Sequence, residues 1–174
     1  MVNHARSCLR CNARRWGRAI ILSLTCVAAG VALADPQPTD AMMRPVHDLV
    51  AFLSSLPPGT HPDVFVPQGL CIIENFEPYI LCGADAASRW EAGLRAHFSE
   101  GLLADLVARF EPAHEFAESG QRAYFSLPTT WTGTVHGRRF REIGAWTFVV
   151  ECHSGGWRIG GYSWGQTSYS ETPE

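Results

Sequence analysis

Residues 121–166, QRAYFSLPTTWTGTVHGRRFREIGAWTFVVECHSGGWRIGGYSWGQ, leave this chain few folds to choose from. The stretch reads as three long strands joined by tight turns at His136-Gly137 and Gly155-Gly156. A two-residue turn at His136-Gly137 pairs Gly133 with Phe140, Trp131 with Glu142, Leu127 with Trp146, Phe125 with Phe148 and Ala123 with Val150. On the opposite parity Arg122 meets Glu151, an opposite-charge pair that supports the register. A turn at Gly155-Gly156 sets Cys152 against Ile159, Val150 against Gly161, Phe148 against Ser163 and Trp146 against Gly165. Upstream, a strand over residues 104–116 turning at Ser119-Gly120 places Phe116 opposite Ala123 and His114 opposite Phe125.

These registers predict two unlike faces. The inner one carries Phe125, Trp146 and Phe148 beside Gly144, Gly161, Ser163 and Gly165. Interiors are close-packed, so small residues beneath covering helices imply a close helix approach, a hole, or bulges that curl the strands. We expect a ligand pocket floored by Gly161 and Ser163, bounded by Phe125 and Phe148, and walled by Trp90, Trp131 and Trp146, with Glu74 and Tyr79 at its mouth. The outer face would show Tyr124, Val149, Tyr162 and Trp164, a surface suited to a second copy in a two-fold dimer, or else to a half-exposed sheet.

The cover comes from upstream. Val46, Leu49, Val50 and Leu53 recur at helical spacing over residues 40–56, with Asp40 as a cap and Pro57-Pro58-Gly59 as the stop. Residues 84–99 form a second amphipathic helix around Trp90, Leu94 and His97 or Phe98. Between them, residues 70–76 and 78–83 read as a hairpin centred between Phe76 and Glu77. That centre opposes Glu74 to Tyr79, Ile73 to Ile80 and Cys71 to Cys82, and directly opposed cysteines can satisfy disulfide geometry. A Cys71–Cys82 bridge is the expectation; three buried thiols at 71, 82 and 152 is its alternative.

The first 34 residues are set apart. Arg6, Arg10, Arg14, Arg15 and Arg18 precede an apolar run closing on Ala32-Leu33-Ala34, the pattern of a secretory signal cleaved before Asp35. The run is short and diluted for a membrane anchor. Residues 35–174 then form one domain in a secreted or periplasmic compartment, with no membrane attachment after cleavage. Five of the 14 basic residues leave with the signal, and the remainder is acidic, which disfavours nucleic acid and anionic membrane surfaces as partners. The chain contains no lysine, so phosphate-loop, Schiff-base and Ser-Lys chemistry are excluded. The glycines at 155, 156, 160 and 161 lie in a hairpin and do not precede a helix, and His114, His136 and His153 lack ligand spacing. No cofactor and no metal is expected.

The order helix, link, hairpin, helix and long meander resembles the nuclear transport factor 2-like superfamily, in particular its SnoaL-like branch. The resemblance spans roughly residues 40–167. It rests on Gly83-Ala84-Asp85, Arg122-Ala123-Tyr124, Trp146-Thr147-Phe148-Val149-Val150 and Gly156-Trp157-Arg158-Ile159. It implies an α+β fold, a cone-like curved antiparallel sheet wrapped around N-terminal helices in a barrel-like arrangement, enclosing a ligand cavity and often dimeric through the outer sheet face. Relatives include isomerases, cyclases, dehydratases, epoxide hydrolases and non-catalytic proteins, so activity must be argued from the site. Enzymatic relatives place an Asp or a His-Asp pair in the cavity, and this chain has no Asp after Asp105. The candidate catalytic groups are therefore Glu142, beside Trp131, and His114, among Phe116, Phe125 and Leu127. Each also has a plain structural role available, an ion pair with Arg139 or Arg141 for Glu142 and a satisfied core position for His114. The readings are an exported module binding a small, largely apolar ligand; a cofactor-independent lyase, isomerase or hydrolase using Glu142 with His114; or a dimeric accessory protein.

Overall fold

The computed structural model describes residues 35–55 and 62–171; the signal-like segment and the Pro57-Pro58-Gly59 stop lie outside them. Helix α1, Asp40–Ser54, is capped by Thr39, whose Oγ1 accepts from the Met42 N–H at 3.4 Å, so the cap falls one residue before Asp40. It buries Met42, Val46, Leu49, Phe52 and Leu53 on one stripe, as its 3.6-residue period requires. Helix α2, Ala86–Gly101, buries Ala86, Trp90 and Leu94 and ends on Leu102 in the left-handed region. Gln37, ahead of α1, straps the start to the sheet by bonding both the N–H and the C=O of Ala113.

The strands are β1 Cys71–Ile73, β2 Ile80–Cys82, β3 Ala104–Phe110, β4 His114–Ser119, β5 Arg122–Val135, β6 Arg138–His153 and β7 Gly156–Glu171. They form one seven-stranded sheet in the order β2-β1-β7-β6-β5-β3, with β4 also pairing β5. The class is α+β and cone-like, with two helices against a curved sheet. The sheet is mixed, because β1 runs parallel to β7 with Ile72 beside Tyr162, and its strand path does not close into a barrel. β1 and β2 pair Cys71 with Cys82 and Ile73 with Ile80, and a disulfide joins the two cysteines across a Cα–Cα distance of 4.2 Å.

The β5–β6 ladder follows the His136-Gly137 turn at every expected position from Gly133–Phe140 to Arg122–Glu151, the last closed by an ion pair at 2.9 Å. Both turn residues have positive φ, 49° and 79°, the backbone twist that a two-residue hairpin demands.

Two other registers need correction, each because the turn falls one residue from the expected place and a bulge lies beyond it. In β7 the turn is one residue earlier, at Ser154-Gly155, and Val150 faces Ile159. Gly160 is then skipped, so Val149 meets Gly161 and Phe148 meets Tyr162. An extra residue reverses every side chain beyond it. Tyr162 and Trp164 therefore lie inside, 4% and 8% exposed, and Gly161 and Ser163 fall on the outer parity. A second bulge skips Thr167, returning Tyr169 to the face of its partner Glu142. In β4 the turn is one residue later, at Gly120-Gln121, so Glu118 and not Phe116 faces Ala123; the register shifts again between His114 and Ala117, where Glu115 has φ 55°, and His114 pairs with Ser126 instead of Phe125.

Candidate functional site

The helices do not seal the broad end of the sheet. Between α1, α2, the β1–β2 connection and strands β3, β5, β6 and β7 lies a cavity of about 430 Å³, within the size range of small-ligand sites. Leu94, His97, Phe98 and Gly101 of α2, at helical spacing, form one wall. Trp131, Phe140, Trp146, Trp164 and Tyr169 of the sheet form the other. Trp146 stands nearly perpendicular to both Trp131, at 5.5 Å and 80°, and Trp164, at 6.2 Å and 89°. Edge-to-face packing of this kind holds indoles rigidly. Gly144 makes the arrangement possible: a Cβ there would overlap the Gly165 carbonyl oxygen and come within 2.7 Å of the Trp164 ring.

Two carboxylates reach this apolar space. Glu74 follows β1, beside the parallel partner β7. Its Oε1 accepts from Trp90 Nε1 of α2 at 3.0 Å and from the Tyr162 hydroxyl of β7. Glu142, on β6, accepts through Oε1 from Trp164 Nε1 at 2.7 Å. Each acid is thus pinned at one oxygen by an indole, and neither bond uses its Oε2. Although Glu74 as a residue is only part-buried, its carboxyl group is deeply enclosed, and desolvation lifts its pKa from 4.5 to about 7. The Tyr162 and Trp90 bonds oppose that rise, and the charge of Glu142 adds to it. Burial likewise raises Glu142 against the pull of its Trp164 bond. Tyr162 is pushed well above its ordinary value, first by burial and then by Glu74. His97 stacks on Phe76 at 5.1 Å, and burial lowers its pKa against the charge of Glu100, favouring the neutral imidazole.

Of the residues singled out from the sequence, Glu142, Trp131 and Trp146 meet in the cavity. Trp90 lies beneath it and reaches it through Glu74. Phe125 and Phe148 are fully buried neighbours in the core, 5.7 Å apart, and do not line the cavity. Gly161 and Ser163 are not its floor, since the β7 bulge turns them outward. Tyr79 is 56% exposed on the hairpin, with φ 66°. His114 is exposed, in a separate pocket with Asp35 and Phe116, and shares no space with Glu142. The sequence reading missed Trp164 and Tyr162, placed outside for want of the bulge, and treated Glu74 as a rim residue. The one available signal for Glu74 was an acid directly abutting the apolar run Cys71-Ile72-Ile73. Among the described residues no group of three or more His, Cys, Asp or Glu is arranged to hold a metal.

No family model matches the sequence, and a search of curated proteins finds no match. Solved structures do match. A type 2 hexachlorocyclohexane dehydrochlorinase, LinA, superposes with a TM-score of 0.62 at 8% identity, covering 76% of this chain and 87% of that one. A candidate scytalone dehydratase from Novosphingobium aromaticivorans gives 0.59 at 13%, covering 77% and 87%. An NTF2-like superfamily protein from Salmonella enterica serovar Typhimurium gives 0.59 at 12%, covering 72% and 88%. At these identities the likeness is one of fold.

Proposed function

We propose that this NTF2-like chain uses its aromatic cavity to bind a small, largely apolar ligand and to move a proton on it, as a cofactor-independent lyase or isomerase. The observation that carries the reading is the pair Glu74 and Glu142, each fixed at one oxygen in the same apolar cavity. An enclosed, water-poor carboxylate is a stronger base than one in solvent, and two that repel one another divide the roles. Glu142 takes the proton from a C–H bond, and Glu74, which keeps its proton to about pH 7, donates to the atom where charge collects. The electron pair left on carbon either expels a leaving group or shifts along a conjugated system. Two structural neighbours are named for dehydrochlorination and dehydration, both eliminations, which agrees with this class. The leader-like pattern of residues 1–34 supports a site of action outside the cytoplasm.

The test is α-proton exchange on 2-tetralone, a planar ketone of suitable size, in deuterated buffer, followed by proton NMR. The expected result is exchange above the buffer rate that drops about 100-fold in Glu142→Gln and by a similar order in Glu74→Gln. Exchange no faster than buffer, with the cavity still taking up an apolar ligand, would favour the non-catalytic binding module.

A further inference from the structure

We infer that the cavity selects an organic cation, an ammonium on an apolar or aromatic body, with its charge set between Glu74 and Glu142 and its body against Trp131, Trp146 and Trp164. This rests on the cavity being the ligand site and not on the proton transfer.

Neither arginine nor lysine lines the space. The titratable groups facing it are Glu74 after β1, Glu142 on β6, His97 on α2 and Tyr169 on β7, with Tyr162 behind Glu74. His97 favours the neutral form and both tyrosines are held above their ordinary range, so no cationic partner for an anionic ligand arises from these groups. The charged groups acting at the rim are Glu100, close enough to His97 to influence it, and Arg138, paired at 2.6 Å with Glu171, which also accepts from the Tyr169 hydroxyl.

Each carboxylate also keeps one oxygen open to the cavity. Each is an acceptor-only group when ionised, each accepts at Oε1, and among the described residues no donor bonds to either Oε2. Two such acids in one apolar space destabilise each other's charge, and a cation between them removes that cost. The walls suit the same guest. Indole faces attract ammonium groups through the ring quadrupole, most strongly where water is excluded. An anion meets like charge, and a neutral guest leaves the repulsion in place.

The test is a calorimetric and NMR titration of the full protein at about pH 8 with three probes of matched shape: benzyltrimethylammonium, its uncharged isostere neopentylbenzene, and phenylmethanesulfonate. The expected order is cation over isostere by about tenfold or more, with the sulfonate weakest. Glu142→Gln should remove most of the cation's preference over neopentylbenzene. Cation affinity should rise as pH is raised through about 7, where Glu74 ionises, and the isostere's should stay flat. If Glu142→Gln fails to fold, Glu74→Gln and the pH series carry the same comparison. Isostere binding as tight as the cation's, or a pH-independent preference, overturns the inference and leaves the pocket standing. Failure of all three probes to bind overturns the ligand-cavity reading itself.

Discussion

At Glu74 three elements converge: the carboxyl group follows β1, Trp90 closes on it from α2 and Tyr162 from β7. Its enclosure has a thermodynamic sign. The folded chain keeps the Glu74 proton to about pH 7, whereas an unfolded chain releases it near the ordinary 4.5. Between those values the unfolded state binds fewer protons, so stability falls as pH rises through the window and levels off above it. Glu142, raised by burial, acts in the same direction. Glu74→Gln should therefore flatten the pH dependence and stabilise the protein at about pH 8 by roughly 2–4 kcal/mol, read from urea midpoints at about pH 5 and 8. A variant that keeps the wild-type slope would locate the enclosure elsewhere. Glu142 was legible in the sequence, because a single turn at His136-Gly137 fixes its parity beside Trp131. The depth of Glu74 was not, since it is created by side chains 16 and 88 positions away.

The β-strands differ in how much of their register a sequence pattern can specify. β5 and β6 are joined by a turn whose residues demand one geometry, and the Arg122–Glu151 pair confirms it at the far end. β7 follows Ser154-Gly155-Gly156, where neighbouring turn positions are chemically similar, and its alternation is then broken twice, at Gly160 and Thr167. Neither break has a signature of its own, because glycine and threonine also sit in regular strands. The consequence is large: the segment between the bulges supplies Tyr162 and Trp164, one hydrogen-bond donor to each cavity acid. Gly144 is the matching requirement on β6. Gly144→Ala would drive a methyl into the Gly165 carbonyl and the Trp164 ring, at a cost of about 1–3 kcal/mol in chemical denaturation. Detachment of Trp164 from Glu142 should accompany it, visible as a shifted indole N–H resonance; an unshifted resonance with wild-type stability would show that β7 can yield there.

For the molecule as a whole, the bulges make the outer surface less apolar than the alternating pattern suggests. Tyr162 and Trp164 turn inward, and Tyr124 and Val149 remain outside, 37% and 36% exposed. Ile73 and Ile80 extend the exposed apolar surface at the β1–β2 hairpin, a position no strand pattern in the meander reveals. We propose that two copies pair through this face about a two-fold axis. Sedimentation at micromolar concentration should give a dimer that Tyr124→Glu and Val149→Glu dissociate; a wild-type monomer under those conditions would remove the proposal. The α+β plan was legible because long strands with fixed turns admit few ways to be covered. The open, mixed edge was not, because the parallel pairing of β1 with β7 joins segments some 90 residues apart.

The two acid–indole clamps also make the protein its own detector. Beyond residue 34 the chain has five tryptophans, and four of them, Trp90, Trp131, Trp146 and Trp164, either line the cavity or bond a carboxylate that does. Entry of a guest changes the surroundings of Trp131, Trp146 and Trp164 together, and loss of a proton from Glu74 or Glu142 changes those of Trp90 or Trp164. Compounds can therefore be screened by intrinsic fluorescence alone, before any reaction is known.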